Sequence, residues 1–177
     1  MKIGIDISQL AYEKTGVANY LSKLVSHLVK IDNENEYILF FSSYRKKLNN
    51  SFIDSVNGPR VSIKFYKFPP TLLDILWNRM HILPIENLIG DIDIFITSDW
   101  TEPPAKRAKK MTILYDLIVY KYPQETAEKI VKTQKRKLHW VKKEAASIFC
   151  ISKATKNDAM DILNIEENRL NVVYPGI

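Results

Sequence analysis

Short continuous apolar runs alternate along this chain with longer stretches in which apolar residues return every three or four positions. The first run, Lys2 to Ile7, reads as a strand, and a polar loop from Ser8 to Thr15 leads from it to Gly16. Val17, Tyr20, Leu21, Leu24, Val25, Leu28 and Val29 then fall on one face of a helix. Glu36 to Ser42 and Val61 to Lys67 read as the next two strands, separated by a Gly58-Pro59 turn. Pro69-Pro70 breaks the chain before a helical stretch from Thr71 to Arg79, and Pro84 opens another helical turn through Leu88. Later strands are expected at Ile92 to Thr97, Lys110 to Tyr115, Ser147 to Ile151 and Asn171 to Tyr174. The longest helix is expected from Gln124 to Ala146, with Ile130, Gln134, Leu138, Val141 and Ala145 as its stripe and lysines on its other sides. Ser152 is placed to cap a helix from Lys153 to Leu163. Strands separated by helices of these lengths predict βαβ units, hence an α/β fold with an open, doubly wound, Rossmann-like parallel sheet of about seven strands.

Length and composition fit that picture. A chain of 177 residues can bury about 70% of its unfolded surface in one core. No apolar run approaches the roughly 18 residues of a membrane span. The start, Met1 to Asp6, carries Asp6 inside the apolar run and no small-residue cleavage site, so it does not read as a signal peptide and the expected location is the cytoplasm. The single cysteine, Cys150, lies in the apolar run Ile148 to Ile151 and reads as a buried structural thiol. A net charge of +6 is concentrated at Arg45 to Lys47, Lys106 to Lys110 and Lys129 to Lys143. Each cluster alone is an ordinary solvated face. Three together point to an acidic partner, whether a phosphate-bearing substrate, an anionic lipid or a nucleic acid, and charge does not choose among these.

In a doubly wound sheet, ligands bind beyond the carboxyl ends of the strands. Thr15-Gly16-Val17 there opens the first helix, whose free amides favour an anion, although a glycine before a helix is most often a turn. Tyr115-Asp116 ends the fifth strand, where Asp116 can hold sugar hydroxyls or assist proton transfer, or equally cap the next turn. Ser98, Asp99 and Trp100 follow the fourth strand and can line a polar groove or form a capped turn. Tyr120 and Tyr122 form an aromatic loop stiffened by Pro123, suited to sugar rings or to plain packing. His27, His81 and His139 lack metal-ligand spacing, and no nucleophile triad is present, so no metal site is expected.

In order, these pieces resemble the N-terminal domain of the GT-B glycosyltransferases of family 4, also called group 1. The matching segments are Ile3-Gly4-Ile5-Asp6, Thr15 to Leu21, Tyr115-Asp116-Leu117 with Tyr122-Pro123-Gln124-Glu125, the serine-led Ile151 to Asp158, and Val172 to Gly176. The resemblance implies an acceptor-binding domain over residues 1–174, with 175–177 opening a hinge toward a donor-binding domain outside this sequence. It implies a retaining, metal-independent transfer of a hexose from a nucleotide diphosphate sugar to a glycan or lipid-linked acceptor in surface polysaccharide or glycolipid synthesis, without a cofactor. In that reading Asp116 is catalytic, Thr15 and Gly16 meet the donor diphosphate, and Ser98, Asp99, Trp100, Tyr115 and Tyr122 bind acceptor. Tyr115 stands where the family commonly has histidine, and a phenol of pKa about 10 is no base near neutral pH. The 177-residue chain by itself is then expected to be inactive, with the inner face of an anionic membrane as a further partner and no nucleic acid. Two rival readings stay open: a non-enzymatic nucleotide- or nucleic-acid-binding Rossmann domain, and a standalone acceptor-binding subunit.

Overall fold

The strands are rich in branched and aromatic residues on both faces, as burial between two helical layers requires. In the computed structural model, which describes residues 1–176, they are β1 (Lys2–Asp6), β2 (Glu36–Ser42), β3 (Val61–Tyr66), β4 (Ile94–Thr97), β5 (Lys109–Leu114), β6 (Ser147–Cys150) and β7 (Leu170–Val172). All pair in parallel in the order β3-β2-β1-β4-β5-β6-β7. The chain therefore winds outward in one direction from β1 and in the other from β4, which places the switch point between these two. Ile5 registers with Ile96 there, and Gly4 with Phe95. Gly4 is a packing requirement: a Cβ on it would stand 2.7 Å from a carbon of the Phe95 ring.

Helices α1 (Gly16–Ile31), α2 (Asn50–Ser55), α4 (Glu86–Ile89), α5 (Ile118–Lys121), α6 (Glu128–Glu144) and α7 (Lys153–Leu163) cover the sheet, together with α3, which starts as an α-helix at Pro70–Leu73 and widens to π-type bonding over Asp74–Arg79. On one face, Leu21 and Val25 of α1 pack on Ile5, Leu39 and Ile113. On the other, Trp77 of α3 meets Phe40 and Phe95, while Leu138 and Val141 of α6 pack with Leu114, Ile148 and Leu163.

Several elements differ from expectation. Ser8 to Thr15 is not a plain polar loop, because Ser8–Ala11 forms a 3-10 turn that buries Gln9, Leu10 and Ala11. The short helices α2 and α5 have too few residues to show a helical period. The long helix begins at Glu128 rather than Gln124, since Pro123–Glu125 closes a separate turn and Ala127 is extended. Strand ends move by one or two residues, as at β4, where Ile92 and Asp93 precede the ladder.

Candidate functional site

The crevice beyond the ends of β1, β4 and β5 is built by three loops and one helix start. At α1, the Thr15 hydroxyl accepts from the Ala18 amide at 3.2 Å and caps the helix. The Gly16 and Val17 amides have no partner among the described residues and point their partial positive charge outward. Gly16 is exposed, with nothing within 4 Å of where its Cβ would be. After β5, Asp116 is exposed and its Oδ1 accepts from the Ile118 amide at 3.0 Å, so it does cap the following turn. That turn fixes the carboxylate at the lip of the crevice without withdrawing it from solvent.

Tyr115 is buried beside it. Its ring meets Tyr20 edge to face, centroids 5.8 Å apart, and its hydroxyl shares a hydrogen bond of 3.1 Å with Ser98 Oγ. Burial pushes its phenol further up than usual, so it remains a neutral hydrogen-bonding group. Asp99, half-buried, accepts from the Gln134 side chain through both its carbonyl and Oδ1, each at 3.0 Å. Burial raises its carboxyl, and the nearby charge of Asp116 adds to that, while Lys137 and Gln134 act in the opposite sense.

Two cavities meet at this ridge. The smaller, of about 210 Å³, lies among Asp99, Trp100, Asp116, Gln134 and Lys137. The larger, of about 720 Å³, runs along Gly16, Tyr20, Asp116, Ile151 and Tyr174. Tyr115, Asp116 and Val17 border both. The structure thus brings together Gly16, Asp99, Trp100, Tyr115 and Asp116, with Ser98 buried behind them and Thr15 capping the helix below Gly16. Tyr122 is the exception, exposed at the end of α5 and lining neither cavity.

One group escapes the sequence reading. Lys137 is 2% exposed, where the spacing places lysines on the solvent sides of the long helix. Its ammonium donates to the Ser98 carbonyl and to Thr112 Oγ1, the latter at 3.2 Å. Burial lowers its pKa, while the carboxylates of Glu102, Asp99 and Asp6 favour its charge. Asp6, at the end of β1, is raised by burial, offset in part by hydrogen bonds from Ser8 and by Lys137. Behind them the Thr97 hydroxyl lies 2.7 Å from Thr112 Oγ1 and 2.6 Å from Glu102 Oε2. Glu102 in turn faces Lys110 at 3.1 Å, and Lys110 reaches Glu144 at 2.8 Å. The signal for Lys137 was its position: it sits three after Gln134 and one before Leu138, inside the stripe itself.

Cys150 is buried as expected, its thiol pushed up to about 11 by burial. Among the described residues no group of three or more His, Cys, Asp or Glu side chains is arranged to hold a metal ion. No helix of the described residues is long and apolar enough to cross a membrane. No curated protein matches the chain. A family model described as Glycosyltransferase Family 4 matches residues 14–177, a span that holds every element from α1 onward. With a seven-stranded parallel sheet and an exposed carboxylate facing a free helix N-terminus across one crevice, the chain belongs to glycosyltransferase family 4.

Proposed function

We propose that the chain is the acceptor-side half of a retaining glycosyltransferase that moves a hexose from a nucleotide diphosphate sugar to a glycan or lipid-linked acceptor. The observation that supports this most is the convergence on one cleft at the switch point of the exposed Asp116 carboxylate and the Gly16 and Val17 amides, which have no partner among the described residues. Free amides at a helix start suit a diphosphate, and a fixed carboxylate at the lip suits an acceptor hydroxyl. Asp99 and Trp100 offer a hydrogen-bonding group and an aromatic residue to a sugar ring in the smaller cavity. Ser98 acts from behind, holding the Tyr115 hydroxyl. Thr15 acts through the helix cap, while the exposed Tyr122 has no place in this cleft. The reading places the work at the cytoplasmic side, in surface polysaccharide or glycolipid synthesis, with no metal ion. The 177-residue chain alone is expected not to turn over.

The test is transfer by the complete protein across a panel of nucleotide diphosphate sugars and acceptors, with and without EDTA. The product's anomeric configuration is read by NMR. Retained configuration and EDTA-insensitive turnover are expected. Asp116→Asn should slow turnover by ~10²-fold or more with unchanged folding. Tyr115→Phe should cost less, since it removes one hydroxyl and keeps the ring. Normal turnover in Asp116→Asn would remove the carboxylate from the mechanism, and an inverted product would remove the retaining assignment.

A further inference from the structure

The smaller cavity is acidic on a basic molecule. The chain carries a net charge of +6, yet the carboxylates of Asp99 and Asp116 both border this cavity. The cation that lines it, Lys137, is buried and commits its ammonium to the Ser98 carbonyl and Thr112 Oγ1. No arginine and no second lysine borders the cavity among the described residues. The two carboxylates sense each other: burial raises the Asp99 carboxyl, and the charge of Asp116 raises it further.

Its main polar groups offer acceptors. The Gln134 amide nitrogen donates to the Asp99 carbonyl and to Asp99 Oδ1, each at 3.0 Å. Two oxygens facing one nitrogen fix the sense of the amide, which leaves Gln134 Oε1 as an acceptor. Neither that oxygen nor Asp99 Oδ2 has a partner among the described residues. Asp116 bonds the Ile118 amide through Oδ1 at 3.0 Å and keeps Oδ2 for another donor. Trp100 and an apolar floor of Ile113, Leu114 and Leu138 complete the lining. The volume of about 210 Å³ lies below the roughly 300 Å³ at which drug-sized pockets begin, which suits one sugar ring rather than a chain of them. Ring hydroxyls then meet the open oxygens while the C–H face lies on the indole and the floor.

We propose that this cavity selects its sugar by charge. It takes a hexopyranose whose ring bears hydroxyls or an ammonium group and rejects one that bears a carboxylate, with Asp99, Asp116 and Gln134 as the discriminating residues. This selection rests on the cavity being the acceptor subsite, and it adds the acceptor's class to that reading. A hydroxyl can donate to any of the three open oxygens, and an ammonium does so with a charge that both aspartates favour. A uronic-acid ring of similar size brings a third carboxylate beside two, and gives up its hydration to do so. Lys137 is already bonded and cannot turn to meet it. Gln134 cannot reverse to offer its nitrogen without leaving both oxygens of Asp99. The site thus discriminates by what it repels as well as by what it holds.

The test is binding of methyl glycosides to the complete protein without donor, titrated by saturation-transfer NMR. The probes are methyl glucoside, methyl glucosaminide and methyl glucuronide, and the matching galacto series. In the series that binds, the amino sugar should bind at least as tightly as the neutral one, and the uronide about tenfold or more weakly. Asp99→Asn keeps the Oδ1 acceptor that Gln134 uses and removes one charge, so the preference against the uronide should fall by about tenfold. Asp116→Asn, at a solvent-exposed position, should move the preference the same way should Asp99→Asn fail to fold. Asp91→Asn, at the opposite end of the sheet, should leave it unchanged. Equal binding of the uronide to the parent, or a preference unmoved by both aspartate variants, would overturn the charge selection and leave the glycosyltransferase reading standing. Saturation transfer to none of the probes, in a protein that transfers sugar across the panel above, would overturn it as well. The underlying reading fails by a different sign, the absence of transfer across that panel.

Discussion

Lys137 shows how one residue can be tied to many. Its ammonium, drawn out of water by α6, is met by the Ser98 carbonyl and the Thr112 hydroxyl, with Asp6, Asp99 and Glu102 around it. Removing one member of a buried charged group leaves the rest uncompensated, which costs more than the pair ever contributed. Lys137→Met should therefore lower unfolding free energy by about 3 kcal/mol or more, measured by urea titration. A change below about 1 kcal/mol would mean that water or rearrangement serves these carboxylates equally well. Because Lys137 holds Ser98, and Ser98 holds the Tyr115 hydroxyl, the same variant should also disturb the crevice.

At the scale of elements, the start of α1 separates two roles that a glycine can have. Gly4 is fixed by packing, since its neighbours leave no room for a Cβ. Gly16 has open space around it and a helical backbone that tolerates any residue, so folding gives no reason for glycine there. A close-approaching ligand does. Gly16→Val in the complete protein should keep the melting temperature within a few degrees while donor affinity falls by tenfold or more. Retained affinity, measured by calorimetric titration of the donor nucleotide, would reduce the loop to a structural turn. Thr15 is distinct again: its cap contributes about 1 kcal/mol to the helix that presents these amides.

Across the whole molecule, buried carboxylates knit the far side of the sheet and set the acid stability. Burial acts to raise Glu86, Asp74 and Glu144, and in each case it is outweighed. Glu86 Oε1 accepts from the amides of Lys106, Arg107 and Ala108, at 2.8, 3.0 and 3.1 Å. Asp74 is served by Arg136, Asn78 and Arg79, and Glu144 by Lys110 and His81. All three are held below their ordinary values in the folded state. Their stabilisation is present above the unfolded pKa, near 4, and is lost as pH falls through the lower folded values. Asp6 and Asp99, raised by burial, have the opposite sign and favour the fold more as they protonate. Thermal melts should fall from about pH 5 downward, and Glu86→Gln should be less stable at neutral pH yet show a shallower acid decline, converging with the parent. Parallel curves would show that Glu86 is not a principal contributor.

Local pattern alone determined the strands, the α1 and α7 starts and the doubly wound sheet, because period and caps are properties of neighbouring residues. Glu36 to Ser42 and the Ser152 cap stand in the structure where the spacing places them. The order of motifs likewise carried the family. Tertiary structure decided what depends on contacts far apart in sequence. Lys137 reads as a solvated lysine until β4 and β5 bring Ser98 and Thr112 to it, 39 and 25 residues away. Trp140 turns inward because α3 offers a carbonyl and His81 a ring. Asp116 and Gly16, a hundred residues apart, meet because parallel strands send every loop after them to the same end of the sheet.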